Sequence, residues 1–175
     1  MYRKEDLWLD AEDIRRKYPK LFIEDGFTAS FIGLLFDANL LRGRYDRTKR
    51  QVFILEESFI DLLKHMKYNY LIQANYLPGD EIKFSIPPYC CLTEVVTIKE
   101  NKHWYTPTEV LELYPKLYQE KIFNESFIGQ LVHKNIIRGK FDSTEKCTLI
   151  LKPSFDELLK YRNYMIEKNK TQDIL

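Results

Sequence analysis

Displaced by ninety-six positions, the chain lies on itself without a gap. Trp8 falls on Trp104, Tyr18-Pro19-Lys20-Leu21 on Tyr114-Pro115-Lys116-Leu117, and Ser30-Phe31-Ile32-Gly33 on Ser126-Phe127-Ile128-Gly129. The register holds through Asn39/Asn135, Arg42-Gly43/Arg138-Gly139 and Ser58-Phe59/Ser154-Phe155, and roughly 25 of the 61 aligned pairs are identical, far above chance for unrelated segments. Two copies of one small domain follow: a first unit over 1–70, a connector over 71–103 and a second unit over 104–175. Domains that small bury thin cores, so the twelve Tyr and eleven Phe are expected to fill them with large rings.

Each copy carries its own start and stop signals. Thr106-Pro107-Thr108-Glu109 forms a capping box with proline at the first helical position, and Pro115 ends that helix near Tyr114. Asp10, Asp13 and Pro19 do the same in the first copy. A second helix of about ten residues follows, buried through 127, 128, 131 and 132 in one apolar stripe. Asn124 and Thr28 cap its start, and Asn135 and Asn39 suit the left-handed residue that ends it. Ile136–Phe141 and Cys147–Leu151 read as a β-hairpin around a polar turn, and Ser154-Phe155-Asp156-Glu157 as the capping box of a last helix reaching about Lys168. In the connector, Glu81–Ile86 and Thr93–Lys99 are the expected strands. The predicted class is α+β, mainly α, with duplicated units and a partly β connector.

Helix, turn, helix and hairpin is the order of a winged helix-turn-helix. The run Tyr105-Thr106-Pro107-Thr108-Glu109-Val110, then Phe127-Ile128, Asn135-Ile136-Ile137-Arg138-Gly139-Lys140 and Ser154-Phe155-Asp156-Glu157-Leu158-Leu159 resembles the MerR/excisionase-like winged-helix group. The likeness spans both units but not the connector. It implies DNA contact through the second helix and the wing, at 29–38 and 42–50 and at 125–134 and 138–146. The arginine and tyrosine cluster common in MerR regulators is missing from the second helix and no long dimerisation helix follows, which places the chain nearer the architectural, excisionase-like branch.

A net charge of +1 supplies no bulk attraction to nucleic acid, so a local patch must. The first wing holds Arg42, Arg44, Arg47, Lys49 and Arg50 against Asp46; the second holds Arg138, Lys140 and Lys146 against Asp142 and Glu145. On the second helix Ser126, Gln130, His133 and Lys134 are expected to be exposed, with Gln130 suited to adenine and Lys134 to guanine or phosphate. The equivalent face of the first copy, Ala29, Gly33, Leu34 and Ala38, suits a protein partner instead, the competing function. Gly33 and Gly129, each costly in mid-helix, are expected to allow close contact with the first helix, or alternatively with DNA or a partner. Trp8 and Trp104 are expected to act as hydrophobic staples, with base stacking as the alternative.

Other chemistry finds little support. Cys90, Cys91 and Cys147 lack metal or disulfide spacing, and Cys147 is expected to be a reduced strand residue. His65, His103 and His133 do not recur at matched positions, and no catalytic set or phosphate-cradling loop is visible. No cofactor, metal or enzymatic activity is expected. Without an apolar leader or a run of membrane-spanning length, a cytoplasmic protein with double-stranded DNA as partner is the expectation.

Overall fold

The computed structural model describes residues 7–74, 81–82, 96–97, 104–144 and 146–173. Its class is α+β, with helices around two small three-stranded antiparallel sheets. The first repeat runs β1 (Trp8–Leu9), α1 (Ala11–Lys17), α2 (Pro19–Ile23), α3 (Ala29–Asp37), β2 (Gly43–Asp46), β3 (Gln51–Leu55) and α4 (Glu56–Ala74). After β4 (Glu81–Ile82) and β5 (Val96–Thr97), which pair antiparallel, the order recurs. It runs β6 (Trp104–Tyr105), α5 (Pro107–Leu113), α6 (Pro115–Tyr118), α7 (Glu125–His133), β7 (Gly139–Asp142), β8 (Cys147–Leu151) and α8 (Lys152–Asp173). The remainder of the expected connector, with Cys90 and Cys91, lies outside the described residues.

The helix starts follow the sequence signals. Asp10 accepts from the Asp13 amide at 2.8 Å while Asp13 accepts from the Asp10 amide at 3.2 Å. Thr106 and Glu109 form the same reciprocal pair at 3.2 Å each. Thr28 and Asn124 cap α3 and α7 by accepting from Phe31 and Phe127 amides at 3.1 and 2.8 Å, and Asn39 and Asn135 both sit at φ 60° just past the helix ends, a conformation asparagine tolerates.

Two local expectations are corrected. Ser154 does not cap α8, which begins at Lys152; its hydroxyl instead accepts from the Arg138 amide at 2.7 Å, as Ser58 accepts from the Arg42 amide at 3.0 Å. These serines tie the last helix to the strand entering the hairpin. Trp8 and Trp104 are strand residues rather than staples: each pairs with the inner hairpin strand, opposite Leu55 and Leu151.

The cores repeat ring by ring. Phe27 and Phe31 meet edge to face at 5.2 Å and 78°, and Phe123 and Phe127 at 5.3 Å and 77°. Tyr18 leans on Phe59 at 5.0 Å, and Tyr114 on Phe155 at 5.6 Å. Leu35/Leu131, Ile54/Ile150 and Leu62/Leu158 are buried in both copies, so the internal identity lies largely in the residues that exclude water.

The compact units, however, are not the sequence copies. One consists of Met1–Leu63 with Arg162–Leu175, the other of Lys64–Tyr161, so the divisions fall inside α4 and α8 and not at 70 and 104. Within the first unit, Arg162 Nε donates to the Ala38 carbonyl at 2.9 Å, Arg42 Nε donates to Asn169 Oδ1 at 3.2 Å, and Lys168 stands 3.7 Å from Glu57. Within the second, Asn69 donates to the Ile136 carbonyl at 3.3 Å and Arg138 donates to the Met66 carbonyl at 3.4 Å. A repeat of this size has only a thin core of its own, and the far end of the other copy's helix adds to that core and satisfies carbonyls beyond α3 and α7.

Candidate nucleic-acid interface

The hairpins owe their shape to one aspartate each. Asp46 Oδ1 accepts from the amides of Thr48 and Lys49 at 2.9 and 3.0 Å, and Asp142 Oδ1 accepts from Thr144 at 2.9 Å. The turns close through Arg50 and Lys146 at φ 53° and 52°. The backbone bond from Lys49 leads the interactions that hold the Asp46 carboxyl below its ordinary range, and the cations of Lys49 and Arg44 add to it. The acid of the first hairpin is thus spent on folding the turn, and Arg44, Arg47, Lys49 and Arg50 all remain exposed around it.

Arg42 does not belong with them. It precedes β2, is only 3% exposed, and its guanidinium bonds Asn169; a side chain so enclosed reaches no phosphate. Arg138 is half-buried and donates to the Met66 carbonyl at 3.4 Å. Lys140 and Lys146 are exposed.

Behind the tips lies a layer of cation–aromatic contacts. The Arg44 guanidinium carbon is 4.7 Å from the Trp8 ring centre and 6.0 Å from that of Phe53, while Lys49 Nζ is 5.4 Å from Phe53. Lys140 Nζ lies 4.2 Å above Trp104. The two tryptophans therefore hold one hairpin cation in each copy at a fixed place without neutralising it.

On α7, Ser126 and His133 are exposed, and Gln130 and Lys134 half-exposed. On α3, Ala29 is exposed and Gly33 and Leu34 are half-exposed, but Ala38 is fully buried. The helical repeat places Ala38 outward only if the helix continues; the helix ends at Asp37, and Ala38 turns inward to receive Arg162. The expected tight contact at Gly33 and Gly129 is also overturned, since a Cβ at either would meet nothing within 4 Å. Nothing in the described fold requires glycine there.

Two residues that the sequence reading did not single out as candidates stand out. Tyr45 and Phe141, at matched positions, are 55% and 64% exposed, although both are large rings in short strands. The signal available was an aromatic following the first hairpin cation in both copies. A separate cleft of about 640 Å³ opens among α1, α2 and the start of α3, lined by Arg15, Arg16, Phe22, Ile23, Phe27 and Ala29 among others.

Among the described residues no group of three or more His, Cys, Asp and Glu could hold a metal ion, and no helix is long and apolar enough to cross a membrane. Cys147 is a half-buried free thiol in β8. Comparison of the chain with family models, curated proteins and solved structures found no match in any of the three.

Proposed function

We propose that the chain is a duplex-DNA-binding protein whose two repeats are winged helix-turn-helix units, α3 and α7 being the groove-facing helices and the β2–β3 and β7–β8 hairpins the wings. The observation that carries this reading is the first hairpin tip, where Arg44, Arg47, Lys49 and Arg50 are exposed while Asp46 turns its carboxylate to backbone amides. Cations so presented exchange condensed counterions for phosphates, and two modest footprints on one chain reinforce each other through effective concentration. On the second unit Lys140 and Lys146 supply the backbone contacts, with Ser126, Gln130, His133 and Lys134 nearest to base edges. The role is architectural or regulatory.

Gel-shift titration at several salt concentrations tests it. Replacing Arg47, Lys49 and Arg50 by alanine is expected to weaken binding and to flatten the salt dependence by roughly 0.9 log units per lost phosphate contact. Equal binding and equal slope in the triple variant would remove the first wing from the interface.

A protein-binding role is the second reading, favoured by the cleft beside α1 and α2, where Ile23 is 81% exposed. Arg15 and Arg16 on its rim would suit an acidic, apolar peptide. Loss of a partner on Ile23→Asp, with DNA binding intact, would support it.

A further inference from the structure

The exposed rings of Tyr45 and Phe141 sit where a nucleic-acid wedge would have to be. Paired residues in an antiparallel ladder share a face, and neighbours along a strand alternate. In β2 the register Gly43↔Ile54, Arg44↔Phe53, Tyr45↔Val52 therefore puts Tyr45 on the face of Gly43 and opposite that of Arg44. Gly43 faces α3: a Cβ there would lie 3.2 Å from the Phe36 ring. The second hairpin repeats this, with Gly139↔Ile150 and Phe141↔Thr148, and a Cβ on Gly139 would meet Val132 of α7 at 2.9 Å. Each ring thus stands on the helix-facing side of its hairpin, one residue pair step beyond the buried core, and on an edge strand, since the sheet orders are β1-β3-β2 and β6-β8-β7.

An isolated exposed aromatic is ordinary. Here the copies have diverged at neighbouring positions, Arg47 to Ser143, Lys49 to Glu145 and Val52 to Thr148, yet a large ring is kept in solvent in both. Beyond it the turn carries exposed Arg47 and Arg50 in one hairpin and Lys146 in the other, while Arg44, Lys49 and Lys140 lie on the opposite, tryptophan-bearing face. Cations at the turn favour a polyanion over an apolar protein surface, and a ring beside the turn adds what phosphate contact cannot, a flat apolar group to place against a base step.

We propose that Tyr45 and Phe141 are wedge residues that enter the minor groove of duplex DNA at a partly unstacked step while the cations of the hairpin turns hold the backbone, so that binding bends the duplex. The inference rests on the DNA-binding reading and adds to it both the mode of contact and its mechanical result. Unstacking a step is unfavourable, and the bend offsets it by bringing more backbone to the cations. Flexible pyrimidine–purine steps are the preferred points of entry.

The experiment uses the full chain and an end-labelled duplex of about 30 base pairs with a central TA step, at low salt. Binding is followed by anisotropy and bending by energy transfer between the ends. Wild type is expected to bind and shorten the end-to-end distance. The Tyr45→Ala/Phe141→Ala double variant is expected to bind roughly a hundred-fold more weakly, the scale of two lost ring–base contacts at about ten-fold each, and to leave the duplex straight. Tyr45→Phe/Phe141→Tyr, which keeps both rings, restores the bend; thermal unfolding confirms that all variants fold. Equal bending by the alanine variant overturns the wedge while leaving DNA binding in place. Tighter binding to the single strand than to the duplex also overturns it, in favour of stacking on unpaired bases. Absence of any duplex binding by wild type overturns the DNA reading itself, and the wedge with it.

Discussion

Arg42 and Arg47 lie five positions apart in one basic run and do opposite work. Arg42 is buried with its guanidinium on Asn169, whereas Arg47 is exposed at the hairpin turn. Arg42→Ala is expected to lower the unfolding free energy by about 1–3 kcal/mol, the scale of a lost buried charged hydrogen bond, which urea denaturation measures; Arg47→Ala should leave stability within about 0.5 kcal/mol and, if the first hairpin meets DNA as proposed, weaken that binding alone. His65 supplies a pH prediction. It is wholly buried, stacked at 4.6 Å on Tyr161, and accepts at Nε2 from the Asn69 amide at 2.7 Å. Burial foremost, with Arg138 adding, lowers it to about 3. A proton on Nε2 would face a donor, so the folded chain holds the ring neutral. The unfolded chain then binds the extra proton between pH 6.5 and 3, and stability present above 6.5 falls as pH drops through that window by up to about 1.4 kcal/mol per unit. Glu157 trends the other way, because burial raises its carboxyl and acidification favours its folded form. Denaturation of wild type and His65→Gln from pH 8 to 4 separates them: the variant should lose less stability on acidification.

At the scale of elements, the helices and hairpins were legible because their punctuation is local. The reciprocal caps at Asp10/Asp13 and Thr106/Glu109 and the left-handed Asn39 and Asn135 depend only on residues three or four apart. What was not legible depends on distant partners. β1 and β6 are two residues long, too short for any periodicity, and exist because β3 and β8 offer an open edge. Ala38 looked outward by helical counting but follows the last helical residue, and Ser154 looked like a cap but bonds the strand before the hairpin. Likewise the candidate site was half visible: charge could be counted along the run, but not which arginine folds inward. Gly33 and Gly129 lie in the middle of α3 and α7 with nothing within 4 Å of an added Cβ. Alanine at either is expected to raise stability by about 1 kcal/mol, read by denaturation. If α3 and α7 face a groove as proposed, the same variants should bind DNA less well despite folding better.

For the whole molecule, the division of the compact units inside α4 and α8 decides what can be cut. Residues 1–103 alone lack Arg162, Lys168 and Asn169, and with them the contacts to Ala38, Glu57 and Arg42. Residues 104–175 alone lack His65, Met66 and Asn69, which reach Tyr161, Arg138 and Ile136. Neither half is expected to fold by itself at low concentration. Circular dichroism of each half, before and after mixing, checks this; recovery of native helicity on mixing alone is the expected result, and independent folding of either half would show the borrowed segment to be dispensable. Joining both copies in one polypeptide makes the trade of helices intramolecular. A half-length version could complete itself only by finding a twin, and would come apart on dilution, whereas here the complementary segment travels with the site it completes and remains within reach at any dilution.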